Sequence, residues 1–289
     1  MIHFGPSGQS ESFINAGFKH TAQYPEYLAA LGLNALEYQC NKGVKIGKAT
    51  AQEIGANAKE FGIALSVHAP YYISLASLDP EKRDNSIKYI TDTMQAAAWL
   101  GATRIVVHSG GALNQDRHVA MEVAKDTLLR SLNAADELGL GEITVCPELM
   151  GKENQLGSVD EVIDLCTVDE RLIPCIDFGH LNAREQGSMQ TTSDFLGVIE
   201  RFEQRLGTQR IKHFHVHFSR IEYTKMGEKR HWNYEDTQFG PNFEPFAEAI
   251  VMKGLEPTVM CESSGHQTED AVTFRKIYKE FLEKKSEKK

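Results

Sequence analysis

The sequence is poor in cysteine, has no long apolar run and carries no excess of positive charge. Its five cysteines, Cys40, Cys146, Cys166, Cys175 and Cys261, are odd in number and lack paired spacing. That favours reduced thiols over a disulfide framework, and three of them lie in apolar strand-like runs where cysteine behaves as a small buried hydrophobe. No stretch approaches the roughly eighteen apolar residues of a membrane helix, and Met1 to Pro6 lack the basic start and apolar run of a leader. A soluble, cytoplasmic chain is expected. The formal net charge of −9 argues against a general nucleic-acid-coating protein but leaves room for a local basic rim.

What is present is one repeated grammar: an amphipathic helix, a glycine, then a short β-prone run that ends in a polar group. Gly32 precedes Asn34–Tyr38, Gly62 precedes Ile63–His68, Gly101 precedes Thr103–His108, Gly141 precedes Ile143–Glu148 and Gly254 precedes Pro257–Glu262. Glycine just past a helix end accepts the left-handed conformation, so each unit reads as helix, stop, strand. Runs at Ile2–Phe4, Ile173–Asp177 and Ile211–His217 bring the strands to eight. Helical spacing of Ile87, Ile90, Met94, Ala97 and Ala98, and of Val119, Val123, Leu128, Leu132 and Ala135, supports the helices between them. Thr50 with Glu53 and Ser158 with Glu161 fit the capping box. Eight alternating strands and helices over 289 residues predict an α/β fold, a single (β/α)8 TIM barrel spanning residues 1–289, with an open doubly wound sheet as the alternative. Residues 280–289 read as a charged helix end that frays.

In such a barrel the functional side chains gather at the C-terminal ends of the strands. Those ends here carry His68, His108, Glu148, Asp177, His217 and Glu262, with His180 three residues past Asp177. Three carboxylates held together repel one another and are costly to desolvate, so bound cations are expected to compensate them. The imidazoles point to zinc, or another transition metal such as manganese, rather than to calcium or magnesium. Seven ligands exceed what one four-coordinate ion uses, which implies a cluster of two or three ions sharing a carboxylate. His213, His215 and His217 alternate on one strand face, and His217 is preferred as nearest its C-terminal end. Glu37 reads as a buried, paired carboxylate. The segment Phe218–Gly240 reads as a long functional loop, in which spacing alone allows His231 either to fold back as a further ligand or to stand as a plain surface residue.

The runs Val67–Ala76, Val107–Gly110, Pro147-Glu148, Asp177–Asn182, His217-Phe218 and Cys261–Ser263 together resemble the endonuclease IV family of abasic-site DNA repair enzymes, within the xylose isomerase-like barrels. The resemblance implies three zinc ions: His68 and His108 on the first, Glu148 bridging, Asp177, His217 and Glu262 on the second, His180 and His231 on the third. Where the family's third ion takes an Asp two residues before His231, this chain has Lys229, whose ammonium cannot ligate while protonated; Glu228 or Glu222 is the available substitute. It further implies hydrolysis of the phosphodiester 5′ to abasic sites in duplex DNA, with Glu148 and Glu262 in catalytic roles. Tyr71 and Tyr72 stand where the family inserts side chains into the helix. Arg184, Arg220, Lys225 and Arg230, with other loop cations, are expected at the phosphates. A one-ion sugar or sugar-phosphate isomerase or epimerase using Glu148, Asp177, His217 and Glu262 is the competing expectation. Nothing in the sequence requires a second subunit, and a monomer is expected.

Overall fold

In the computed structural model, which describes residues 1–112 and 114–287, the strands are β1 (His3–Pro6), β2 (Ala35–Gln39), β3 (Ala64–His68), β4 (Arg104–Val107), β5 (Thr144–Pro147), β6 (Cys175–Asp177), β7 (His215–Phe218), β8 (Arg220–Thr224), β9 (Gly227–Trp232) and β10 (Thr258–Cys261). Eight of them run parallel in two four-stranded sheets, β2-β3-β4-β5 and β6-β7-β10-β1. Two isolated parallel bridges, Ser7 to Glu37 and Glu148 to Cys175, join the sheets and close the expected (β/α)8 barrel. The strands are short and apolar on both faces, as in Ile105-Val106-Val107, because helices cover the outer face and side chains fill the inner one.

The helices are α1 (Glu11–Asn15), α2 (Tyr24–Ala30), α3 (Lys48–Glu60), α4 (Pro80–Leu100), α5 (Arg117–Glu137), α6 (Val159–Cys166), α7 (Phe178–Arg184), α8 (Thr192–Leu206), α9 (Thr208–Lys212), α10 (Phe243–Lys253) and α11 (Gln267–Glu287). Helix α4 shows how the sequence sets both ends. Asp79 accepts from the Glu81 amide, Pro80 occupies the first turn where no amide is needed, and Gly101 takes a left-handed φ of 72° as the stop. The main core lies between helices and strands; Phe178, Phe195, Phe218 and Phe246 form one aromatic cluster, and Phe243 stacks on Phe274 at 4.3 Å to seat α11. The inside of the barrel is narrower and more polar: Val106, Cys146 and Cys175 share it with buried Glu37, Ser66 and His215.

Several expectations shift. Ile211 is not in the seventh strand but is buried in α9, one helical turn opened by Gly207, so that β7 begins only at His215. The sixth strand starts at Cys175 rather than Ile173. Helix α3 is capped at Gly47, which leaves Thr50 inside its first turn and without a capping role. The stop after α5 is Gly139, with φ 72°, and not Gly141. Val119 faces solvent on α5, whose buried stripe runs through Ala120, Ala124 and Leu128. Phe218–Gly240 is not a plain loop: β8 and β9 form an antiparallel hairpin within it. The charged C-terminal stretch is continuous helix through Glu287, and Lys288 and Lys289 lie outside the described residues.

The Ser158–Glu161 capping box is present, with Glu161 accepting from the Ser158 amide at 2.9 Å and Ser158 Oγ facing the Glu161 amide. Ser158→Ala should lower stability by about 1 kcal/mol, read as an earlier urea midpoint at unchanged slope; an unchanged midpoint would show that the Arg117 pairing of Glu161 alone holds this helix start.

Candidate metal centre

The strand ends converge as expected. His68 closes β3, His108 follows β4, Glu148 follows β5, Asp177 closes β6, His217 lies in β7 and Glu262 follows β10. Glu148 has no exposed surface and sits between two sets of partners. Its Oε2 lies 3.2 Å from His68 Nε2 and 2.9 Å from His108 Nε2. Its Oε1 lies 3.0 Å from His217 Nδ1. Two groups of ligand atoms therefore share it, each with all atoms within 4.8 Å of one another: His68, His108 and Glu148, and Glu148, Asp177, His217 and Glu262.

The outer hydrogen bonds show which ring nitrogens are bare. His68 Nδ1 lies 2.8 Å from the Ala69 carbonyl and His180 Nδ1 2.9 Å from the Leu149 carbonyl. A carbonyl only accepts, so these nitrogens carry protons and leave Nε2 of each ring with its lone pair turned into the cluster. His217 is held the other way round, with Nε2 2.9 Å from Glu37 Oε1 and Nδ1 turned inward. Asp177 caps α7 by accepting from the His180 amide at 2.7 Å through Oδ1, while its Oδ2 is buried without a hydrogen-bond partner. Asp177 Oδ2 lies 3.1 Å from the protonated His180 Nδ1 but has no aligned donor, and a buried carboxylate oxygen so placed, grouped with Glu148, Glu262 and the inward nitrogen of His217, is a donor set that fits a transition-metal ion.

A third group, His180, Glu228 and His231, adjoins the first two. His180 Nε2 lies 3.4 Å from Glu228 Oε2, and His231 Nε2 lies 3.8 Å from Glu228 Oε1. Ser219 holds the other His231 nitrogen at 2.8 Å. Of the two acids expected as substitutes, Glu228 is the one brought to these imidazoles, whereas Glu222 pairs with Lys229 at 2.5 Å. Two glycines bring Glu228 there: the hairpin docks on the loop after β5 through a bridge between Lys152 and Gly227. A Cβ on Gly151 would come within 2.6 Å of the Glu228 side chain, and Gly227 takes a φ of 91° against the Gly151 carbonyl.

Comparison with known proteins places this architecture. The family model described as "Xylose isomerase-like TIM barrel" matches residues 25–283. The chain belongs to that family. An uncharacterized protein of Methanocaldococcus jannaschii is 35% identical over 282 residues, covering 97% of this chain and 98% of that one. A probable endonuclease 4 of Mycoplasma genitalium is 31% identical over 160 residues, 54% of this chain and 52% of its own length. The chain thus aligns with about half of that curated relative. Among solved structures, a D-tagatose 3-epimerase-like protein superposes with a TM-score of 0.71 at 20% identity, covering 99% of each chain. Endonuclease IV from Thermus thermophilus does so with a TM-score of 0.70 at 20% identity, covering 97% of this chain and 98% of that one. These likenesses establish the xylose isomerase-like barrel and its endonuclease IV relatives.

In this family member the cluster floors a cavity of about 790 Å³ at the C-terminal face of the barrel. Glu262, Tyr71, Asn41, Lys152, Gln155 and Arg230 line it. Tyr71 is half-exposed and its ring centroid lies 5.6 Å from that of His108. Tyr72, also exposed, leans on Tyr89. Two of the four cations expected at phosphates are committed elsewhere. Arg184 donates to the carbonyls of Met150 and Lys152 and ties down the loop after β5. Arg220 is buried, donates to the Phe239 carbonyl and Asn242, and lies over the Tyr234 ring. Both bind carbonyls of neighbouring turns, which their loop positions in sequence do not reveal. Arg230 remains at the mouth, stacked on Trp232 at 3.9 Å, and Lys225 is exposed at the hairpin turn. Lys152 and Gln155, which sequence reasoning missed, reach the cavity because the glycine-pinned loop folds over it.

Without ions, the imidazoles carry the compensating charge. Burial opposes charge on His180, but Asp177, Glu228, Glu148 and Glu262 push its pKa from 6.5 up to about 9. Burial likewise opposes charge on His217 and His68, and the surrounding carboxylates raise both. Burial pushes the Asp177 carboxyl up, with only partial relief from His180, whereas His108 and His217 overcome burial to hold Glu148 well below the carboxylate range. His180, with its folded pKa above its unfolded one, contributes stability in full below pH 6.5 and loses it as pH rises through about 9. The melting temperature of chelator-stripped protein should therefore fall between pH 6.5 and 9. A flat profile over that window would mean that these imidazoles are not charged in the metal-free fold.

Proposed function

We propose that the protein is a metal-dependent phosphodiesterase that incises duplex DNA 5′ to abasic sites. The observation that carries this reading is the pair His68 and His108 on the far side of Glu148 from Asp177, His217 and Glu262. A one-ion sugar epimerase needs only the second group; two groups sharing one carboxylate suit a pair of ions, and the imidazole-rich set suits zinc. His180, Glu228 and His231 would hold a third.

Bound there, the ions would supply a water of lowered pKa and neutralise charge on the phosphate. The protein side of the chemistry follows from exposure. Glu148 and Asp177 are wholly buried and serve to hold ions, while Glu262 reaches the cavity surface and is held below the usual carboxylate range, against its burial, chiefly by His217. It is the ionised acid placed to orient the attacking water and take its proton. Tyr71 offers an exposed aromatic face beside the cluster, and Tyr72 another next to it in the chain, both suited to replacing stacking lost at an abasic site. Arg230, Lys152 and Lys229, which line the cavity, and Lys225 at the hairpin turn are the cations available for phosphates.

The test is nicking of a labelled duplex carrying one synthetic abasic site, at low salt where phosphate contacts are strongest. Zinc-loaded protein should cut 5′ to the site; stripped protein and His108→Ala should not. Glu262→Gln should keep its melting temperature and lose about 10²–10⁴-fold in rate. A chain that binds one ion, leaves the duplex intact and epimerises a ketose would move the assignment to the sugar epimerases, the class named for several of its structural neighbours.

For the third group, Glu228→Ala should reduce zinc content by one ion per chain relative to wild type, measured by elemental analysis after dialysis. Unchanged content would remove Glu228 from the centre.

A further inference from the structure

His217 differs from the other cluster imidazoles in how it is held. His68 and His180 donate to backbone carbonyls, whereas His217 leans on a carboxylate 180 residues away in sequence, on the opposite side of the barrel interior. That carboxylate, Glu37 in β2, has no exposed surface. Both of its oxygens are already engaged. Oε1 accepts from Ser7 Oγ at 2.7 Å and faces His217 Nε2 at 2.9 Å. Oε2 accepts from Ser66 Oγ at 2.9 Å and lies 3.0 Å from His215 Nε2. Glu37 is therefore not placed to ligate an ion itself. Its seat is built from three strands: Ser66 is its register partner in β3, and Ser7 forms the bridge to it beside β1.

We infer that Glu37 is the positioning residue of the metal centre: it fixes His217 as the Nε2–H tautomer and so presents the Nδ1 lone pair to the ion shared with Glu148, Asp177 and Glu262. Both ring nitrogens face carboxylates, Nε2 that of Glu37 at 2.9 Å and Nδ1 that of Glu148 at 3.0 Å; an ion held on Glu148 would replace the proton on Nδ1, while Glu37, held by Ser7 and Ser66 and able only to accept, keeps the proton on Nε2. The opposite tautomer would place a proton between Nδ1 and Glu148 Oε1 and block the coordinating position. Glu37 also decides against a competing arrangement. Cys175, His215 and His217 have ligand atoms within 4.8 Å of one another on the inner side of the ring, and neither nitrogen of His215 has an aligned hydrogen-bond partner. Anchored to Glu37 through Nε2, His217 keeps Nδ1 against Glu148 Oε1 at 3.0 Å, on the side of the second ligand group. An outer-shell carboxylate of this kind orients the ligand and raises its basicity, and losing such a partner typically costs about 10–100-fold in metal affinity.

This inference rests on reading the cluster as a metal centre and does not depend on the substrate. Zinc-loaded wild-type protein labelled with ¹⁵N-histidine should show His217 bearing its proton on Nε2 with Nδ1 bound to metal; a metal-bound Nε2 overturns the inference whatever any variant does. Glu37→Gln keeps the shape and a carbonyl acceptor but not the charge. In competition with a chromophoric chelator it should release one ion about 10–100-fold more readily than wild type, while the ion on His68 and His108 is retained and the cobalt-substituted visible spectrum changes for one site only. Ser66→Ala, which removes one bond to Oε2, should fall between the two. A residue with a merely structural role would lower the melting temperature of stripped protein and leave every ion's affinity unchanged; that result also overturns the inference. Wild-type protein that takes up no zinc at all overturns the metal-centre reading first.

Discussion

A single buried carboxylate, Glu148, stands within 3.5 Å of four imidazoles, those of His68, His108, His180 and His217. Most other features of the site answer to the electrostatics of that position. A lone ionised acid in the middle of a barrel is untenable, and two more acids, Asp177 and Glu262, crowd the same space. Every compensating group comes from a different strand end, so the charge balance can be met only when the barrel is assembled with its strands in register. The polar layer beneath, with Glu37 in a ring of Ser7, Ser66 and His217, extends the same logic downward. There, too, a buried charge is tolerated because each lone-pair direction is occupied.

Much of this was legible in the sequence, for identifiable reasons. Parallel strands read as short apolar runs, and glycine after a helix marks where each begins, so Val107-His108 and Pro147-Glu148 announce both a strand and the residue at its end. His217 could be separated from His213 and His215 because only strand ends reach the cavity. Glu37 could be read as buried and paired, but not as the partner of His217, because nothing local links residues on opposite sides of a barrel. The hairpin at Arg220–Trp232 was hidden by its charge: Glu222, Lys229 and Arg230 satisfy one another on its exposed face, which erases the apolar alternation that marks a strand. Arg184 and Arg220 illustrate the commonest error of such reading, since a cation in a loop sequence is equally suited to a phosphate and to the carbonyls of a neighbouring turn.

The replacement of an acid by Lys229 is resolved by geometry rather than by chemistry. In an antiparallel hairpin neighbouring residues point to opposite faces, so moving the acid one place along the strand alters which residue faces His180. The register passes from Glu222–Arg230 to Tyr223–Glu228, which makes Lys229 the extra residue of a bulge, and with the close approach of Gly227 to Gly151 this lets Glu228 reach the imidazoles while Lys229 pairs with Glu222 at the cavity rim. Position in the chain and position in space part company here.

Among the described residues the barrel is closed by two isolated bridges, Ser7 to Glu37 and Glu148 to Cys175, with a few backbone hydrogen bonds beside each, such as Gly8 to the Glu37 carbonyl and Leu149 to the Cys175 carbonyl. These are the seams between two half-barrels. One half supplies His68, His108 and Glu148; the other supplies Asp177, His217 and Glu262. An ion shared across Glu148, as proposed, would act as a clasp on the joint where the backbone ladder is thinnest, and would bind the joined form while having no equivalent site on either half alone. Metal supply would then set how firmly the two halves stay closed, and a metal-starved chain would open first along these seams.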